Sequence, residues 1–147
     1  MVVISKCAHG DGLLPADDFE QVVSVELGVS LELLGTDWID LYFLHRDNPA
    51  VPVGRILERL NREIDAGRVR AIGASNWEYG RVQEANEYAR AHGLVGFAAV
   101  SNNLSLARMT QPVWAGSLTV SDPASRAWFE RTRVPLLAWS SQARGFF

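Results

Sequence analysis

Two side chains able to hold or move a proton close apolar runs in this sequence: Lys6 follows Val2-Val3-Ile4-Ser5, and His45 follows Ile39-Asp40-Leu41-Tyr42-Phe43-Leu44. Such runs read as strands, so each group stands at a strand end. An ammonium favours the ionised form of a neighbouring acid, and an imidazole can take or give a proton, although a lone histidine at a strand end is usually structural. Cys7, the single cysteine, lies in an apolar run and reads as a packed thiol rather than a nucleophile. Alone it forms no internal disulfide, which agrees with a reducing, cytoplasmic compartment. His9 and His92 have no metal-ligand spacing with His45, and no carboxylates cluster, so no metal site is expected. No P-loop is present. Lys6-Cys7-Ala8-His9-Gly10-Asp11-Gly12 lacks the Gly-x-Gly-x-x-Gly spacing that follows the first strand of a dinucleotide-binding open sheet.

Elements must position these groups, and composition says that a core is available. The 147 residues are 48% hydrophobic and 21% charged, which suits one globular domain over 1–147. A formal net charge of −3 and a pI near 5.6 argue against binding the nucleic-acid backbone. No apolar run approaches the roughly 20 residues that span a bilayer, and the first residues do not read as a signal peptide, so no membrane is expected.

Strand-like runs recur at 2–6, 39–45, 69–75, 97–101 and 136–140. They are almost continuously apolar, as parallel strands buried on both faces should be. Helices alternate with them. The first spans Phe19–Leu34, with Asp17 or Asp18 to cap it and Gly35 after it. The second carries Val53, Ile56, Leu57, Leu60 and Ile64 on one face and stops at Gly67. The third follows a Ser75-Asn76-Trp77-Glu78 capping box and ends at Gly93. The fourth opens on Asp122-Pro123. This alternation gives a parallel α/β sheet, either open or closed into a barrel. The irregular stretch 104–121, with Gln111-Pro112-Val113-Trp114, reads as a loop over a site or on the surface.

Three motifs decide between the two sheets. Ser30-Leu31-Glu32-Leu33-Leu34-Gly35-Thr36-Asp37-Trp38-Ile39-Asp40-Leu41-Tyr42-Phe43-Leu44-His45 closely resembles the aldo/keto reductase signature leading into the fourth barrel strand. Gly67-Arg68-Val69-Arg70-Ala71-Ile72-Gly73-Ala74-Ser75-Asn76-Trp77 is similar to a second segment of that family. Leu136-Leu137-Ala138-Trp139-Ser140-Ser141-Gln142-Ala143-Arg144-Gly145-Phe146 is similar to its seventh strand and the loop after it. The resemblance implies an α/β fold, a partial TIM (β/α)8 barrel whose five parallel strands match the third to seventh of the family.

The resemblance also implies chemistry: an NADP-dependent oxidoreductase that reduces the carbonyl of an aldehyde or ketone, a small-molecule substrate. The catalytic lysine and histidine match Lys6 and His45, at the C-terminal mouth of the barrel. For NADP(H), Ser75 and Asn76 match the carboxamide-binding pair, and Ser101 stands where many members have glutamine. Trp139 takes the position beneath the nicotinamide ring, and Ser140, Gln142, Arg144 and Gly145 fall in the loop over the pyrophosphate. The family's aspartate and tyrosine match nothing here and belong to strands upstream of Met1, while the 2′-phosphate segment lies beyond Phe147, so the expected chain is truncated at both ends. Tyr42 has the opposite strand parity to His45 and Tyr79 opens a helix, so both read as packing. The alternative is a non-catalytic barrel piece that oligomerises or binds nucleotide, with self-association through the open edges of the first and last strands.

Overall fold

The alternation of apolar runs and amphipathic segments folds into four strand–helix units. The computed structural model describes residues 1–9 and 16–146; Gly10-Asp11-Gly12 therefore lies outside the described residues. In chain order the elements are β1 (Ile4–Cys7), α1 (Phe19–Leu34), β2 (Leu41–Leu44), α2 (Val53–Asp65), β3 (Ile72–Ser75), α3 (Tyr79–His92), β4 (Phe97–Ser101) and α4 (Pro123–Thr132). The strands pair in parallel in the order β1-β2-β3-β4. A doubly wound open sheet reverses its order at a switch point, whereas consecutive units of a (β/α)8 barrel do not. The architecture is that of a partial barrel.

Side-chain alternation divides the sheet. Cys7, Tyr42, Leu44, Ile72, Ala74 and Val100 join the core with Phe19, Val23 and Leu27 of α1, Ile56, Leu57 and Leu60 of α2, and Val82 and Ala85 of α3. Tyr42 is fully buried in this layer, as its parity requires. The opposite face carries the register row Lys6, Phe43, Gly73 and Ala99. The Lys6 ammonium lies 5.5 Å from the Phe43 ring centroid.

Several ends fall where the sequence puts them. Gly35 and Gly93 cap α1 and α3 with φ of 61° and 66°, the left-handed region that glycine enters freely. Asp122 accepts the Ser125 amide hydrogen at 2.9 Å, with Pro123 opening α4. Among the described residues no helix is long and apolar enough to cross a membrane.

Three expectations are corrected. The segment 136–140 is not a fifth strand: it meets β4 through an isolated bridge, Val100 to Leu136, and the residues after β4 through another, Asn103 to Trp139. Val100 N–H donates to the Pro135 carbonyl, and the N–H groups of Leu137 and Trp139 donate to the carbonyls of Val100 and Asn102; these separated backbone bonds hold the segment in place without making a continuous ladder. The Ser75–Glu78 box does not cap α3. Glu78 is the N-cap residue without a side-chain cap bond, and the Ser75 hydroxyl instead donates to the Ser101 carbonyl at 3.0 Å. Asp18 sits at the start of α1 but also makes no side-chain cap bond.

Gly73 marks the tightest approach in the sheet. A Cβ there would collide with the Phe43 ring and come within 3.0 Å of the Ala99 carbonyl oxygen. Phe43 is only 1% exposed, so its ring has little room to yield. Overpacking of this kind costs about 1–3 kcal/mol. Gly73→Ala is therefore expected to lower the urea unfolding midpoint without changing the slope; an unchanged midpoint would show that the ring is free to move.

Candidate active site

The C-terminal ends of the strands meet at one rim, and the row above Lys6 and Phe43 holds His45, Ser75 and Ser101. Ser75 pairs with Ser101 in the β3–β4 register. Lys6 Nζ reaches over Phe43 to both hydroxyls, 3.3 Å from Ser101 Oγ and 3.5 Å from Ser75 Oγ. It enters no ion pair among the described residues. Burial, and secondarily the Arg46 guanidinium, hold the Lys6 pKa below its ordinary value.

His45 follows β2, its backbone N–H donating to the Cys7 carbonyl at 2.8 Å. Its Nδ1 lies 2.7 Å from Nδ1 of His9, a residue that sequence spacing leaves unpaired. Burial is the main cause, followed by His9, Arg46 and Lys6, of a His45 pKa pushed down from 6.5 to about 4.

Asn76 ties the rim together. Its φ of 56° turns the chain sharply after β3, in a region that asparagine tolerates better than most residues. Its backbone N–H donates to Asn102 Oδ1 at 2.7 Å and to the Ser101 carbonyl at 3.2 Å. Its side-chain amide donates to Ser75 Oγ at 3.2 Å and to the His45 carbonyl at 3.4 Å, and its Oδ1 accepts the Leu118 N–H at 3.2 Å.

The rim opens into a cleft of about 620 Å³ lined by Lys6, His9, His45, Arg46, Asn76, Trp114, Ala115, Ser117, Trp139 and Ser140. The arrangement therefore unites five of the expected site residues: Lys6, His45, Asn76, Trp139 and Ser140. Ser75 and Ser101 lie beneath it, buried, with their hydroxyls on Lys6. Arg144 lines a neighbouring cleft of about 520 Å³ with Asn103, Arg108, Ala143 and Phe146, and Ser140 belongs to both. Gln142 and Gly145 line neither; they form the exposed turn between, where Gly145 N–H donates to the Gln142 carbonyl at 3.1 Å.

His9, Arg46, Asn102, Asn103, Trp114 and Ser117 are absent from the sequence-derived set. Asn102-Asn103 directly after a buried strand was a usable signal, since buried amides must find partners. Trp114 belongs to the irregular 104–121 stretch and sits 5.9 Å, centroid to centroid, from Trp139. Nothing in sequence separation brings His9 to His45.

Two polar atoms of cleft-lining residues are buried without a partner among the described residues, Ser117 Oγ and Asn103 Oδ1. Buried groups of this kind are costly unless something bonds to them. An aromatic wall and cations on both clefts suit a ligand that is flat at one end and anionic further along. No group of three or more metal-binding side chains occurs among the described residues.

The model of the aldo/keto reductase family matches residues 1–115. That stretch holds Lys6, His45, Ser75, Asn76 and Ser101 and stops short of Trp139. An aldo-keto reductase of Fusarium vanettenii is 40% identical over 78 residues, which cover 52% of this chain and 21% of the relative. A norsolorinic acid reductase of Emericella nidulans is 40% identical over 75 residues, covering 51% of the chain and 19% of the relative. An aldo-keto reductase [NADP(+)] of Schizosaccharomyces pombe is 32% identical over 74 residues, covering 50% and 22%. The chain thus spans about a fifth of the length of these curated relatives.

The His45 environment has a thermodynamic consequence. With a folded pKa near 4 against an ordinary 6.5, the unfolded chain binds the proton that the folded chain refuses. Stability from this group is complete above pH 6.5 and is lost as pH falls from there toward 4. The wild-type urea midpoint is expected to drop across that window more steeply than that of His45→Gln. Parallel pH curves for the two proteins would show that His45 titrates normally.

Proposed function

This chain belongs to the aldo/keto reductase family, and from that premise we propose that it serves the reduction of an aldehyde or ketone by NADP(H), with Lys6 and His45 acting on the carbonyl oxygen. The observation that carries the reading is the single cleft shared by Lys6, His45, Asn76 and Trp139. The NADP(+) in the name of the fission-yeast relative supports the choice of cofactor. When bound, the cofactor supplies a hydride to the carbonyl carbon.

The residues then divide the work. Trp139 offers an aromatic face to a planar ring. Asn76 and Ser117 line the cleft beside Trp139. Ser140, Gln142, Arg144 and Gly145 form the turn between the clefts, where Arg144 and Arg108 suit the charge of phosphates. Ser75 and Ser101 hold the Lys6 ammonium at the rim. Charge that develops on the carbonyl oxygen meets that ammonium and the His45 imidazole, groups already in place before the reaction. Cys7 takes no part: burial pushes its thiol up to about 12, which leaves it protonated.

The same cleft favours a second reading, in which the chain binds nucleotide without turnover. None of its lining residues is a tyrosine. Tyr42 is buried beneath the sheet, Tyr79 packs 5.9 Å from Trp128, and Tyr88 donates to Glu58. As its partner we propose a second copy of this chain, docked on β1. Among the described residues that strand is an edge of the sheet, with Ile4 exposed in it and Met1 and Val2 exposed just before it.

Titration with NADPH is expected to quench tryptophan emission saturably, and Trp139→Ala to weaken binding about 2- to 10-fold, as loss of an aromatic contact would. Quenching that is absent, or that survives this substitution unchanged, would sink the cofactor assignment. These 147 residues alone are expected to show no detectable NADPH-dependent reduction of a reactive aldehyde. A positioned general acid is worth about 10² to 10⁴ in rate, and the cleft offers no phenol to supply it. Robust turnover would defeat the non-catalytic reading. Light scattering should report dimers or larger species, and a sharply monomeric chain would refute the β1 interface.

A further inference from the structure

His9 and His45 meet at the rim with their rings tilted 54° and centroids 4.0 Å apart, Nδ1 against Nδ1 at 2.7 Å. A hydrogen bond between two imidazole Nδ1 atoms needs a proton on one and a lone pair on the other. Each ring therefore dictates the tautomer of its neighbour. A shared metal does not fit this spacing: nitrogens about 2.0–2.1 Å from a tetrahedral zinc stand about 3.3 Å apart.

We propose that His9 is a positioning residue: it donates its Nδ1 proton to Nδ1 of His45, which places the proton of a neutral His45 on Nε2, free to donate to an oxygen in the cleft. The pairing of the rings rests on the observed distance. The direction of donation rests on the carbonyl-reduction reading, since only an Nε2–H donor serves a carbonyl oxygen on which negative charge grows.

The surroundings make the tautomer decisive. Lys6 from β1, Arg46 from the turn after β2 and His9 itself face the imidazole, and together with burial they oppose its ionisation. A neutral ring donates or accepts at Nε2 according only to where its one proton sits. Among the described residues the acid nearest in sequence to His45, Asp47, is held by Arg81 at 3.3 Å. His9 is exposed, so its own Nε2 keeps water as partner when its proton is committed to Nδ1.

The test reads imidazole nitrogens directly, in long-range ¹H–¹⁵N spectra of the ¹⁵N-histidine-labelled chain above pH 7. Wild-type His45 should show a pyrrole-like Nε2 and a pyridine-like Nδ1. His9→Ala should convert His45 to a mixture of tautomers and shift its titration midpoint upward, because one of the groups opposing its charge is gone. His9→Asn carries an amide N–H₂ at about the reach of Nδ1 and should restore the Nε2–H form without restoring a second titrating ring. A protonated Nδ1 on wild-type His45, or a tautomer indifferent to His9→Ala, overturns the proposal. If His9→Ala loses its dispersed backbone spectrum, His9→Asn decides: a retained Nε2–H form supports the assignment and a mixed form overturns it. Failure of NADPH to bind would sink the functional reading and leave these spectra as they are, so the two can fail separately.

Discussion

The geometry of the rim depends on Asn76. It is buried, it holds a φ of 56°, and it spends both amide hydrogens, its side-chain oxygen and its backbone N–H on four different segments. Those bonds reach the end of β2 through the His45 carbonyl, the end of β3 through Ser75, the segment after β4 through Asn102, and the 104–121 loop through Leu118. A carbonyl or N–H left unpaired at this depth costs about 1–3 kcal/mol, so the chain gains by keeping the whole set. The consequence is positional: His45, Ser75, Ser101 and the loop bearing Trp114 and Ser117 cannot drift independently. The turn that lets Asn76 do this is also the one that takes Ser75 out of a helix-capping role and turns its hydroxyl toward Lys6.

Electrostatics builds on that scaffold. Lys6 is half-buried, next to Arg46, and compensated by hydroxyls rather than by a carboxylate. Such a cation keeps its attraction for incoming negative charge, whereas a salt-bridged lysine would have spent it. His45 beside it is kept neutral by the same surroundings. Cation and neutral imidazole together make a site suited to an oxygen that gains negative charge. A carboxylate near them would instead raise the His45 pKa and neutralise the field.

Much of the architecture was legible because it follows from local chemistry. The left-handed caps at Gly35 and Gly93, the Asp122-Pro123 start of α4 and the apolar face Val53, Ile56, Leu57 and Leu60 each announce an element through a pattern a few residues long. The parity argument also placed Tyr42 in the helical layer correctly. What failed to read was decided by partners distant in sequence. The 136–140 run has strand composition, yet it meets the chain beyond β3 only at separated points, Leu136 beside Val100 and Trp139 beside Asn103, and forms no continuous ladder. The Ser75 to Glu78 spacing satisfies a capping pattern, yet the nearest acceptor for the Ser75 hydroxyl is the Ser101 carbonyl, 26 residues away. His9 reaches His45 only because β1 and β2 are neighbours, so a spacing rule for metal ligands had nothing to detect. Sequence named Lys6, His45, Asn76 and Trp139, which line one cleft, but gave no sign of how they bond to one another.

The aromatic wall shows how geometry and affinity trade against each other. Trp114 is held between Trp139, 5.9 Å away at an interplanar angle of 51°, and the Arg144 guanidinium, 5.3 Å from its ring. A ring stacked on Trp139 and covered by Trp114 would need parallel planes about 7 Å apart, two carbon contact distances of about 3.5 Å. The observed pair leaves no such gap. For a planar ligand to enter between the two rings, Trp114 must swing outward. The loss is an exposed cation–π contact of about 0.5–1 kcal/mol and a tilted aromatic pair of about 0.5–1.5 kcal/mol. Together these weaken apparent binding by a factor of about 5 to 70. A dinucleotide with contacts in both clefts can offset that, because Ser140 connects them and Arg144, released from Trp114, already lines the second. A nicotinamide fragment confined to the first cleft has no such compensation. Displacing Trp114 thus favours a ligand long enough to occupy both clefts over one that fills only the first.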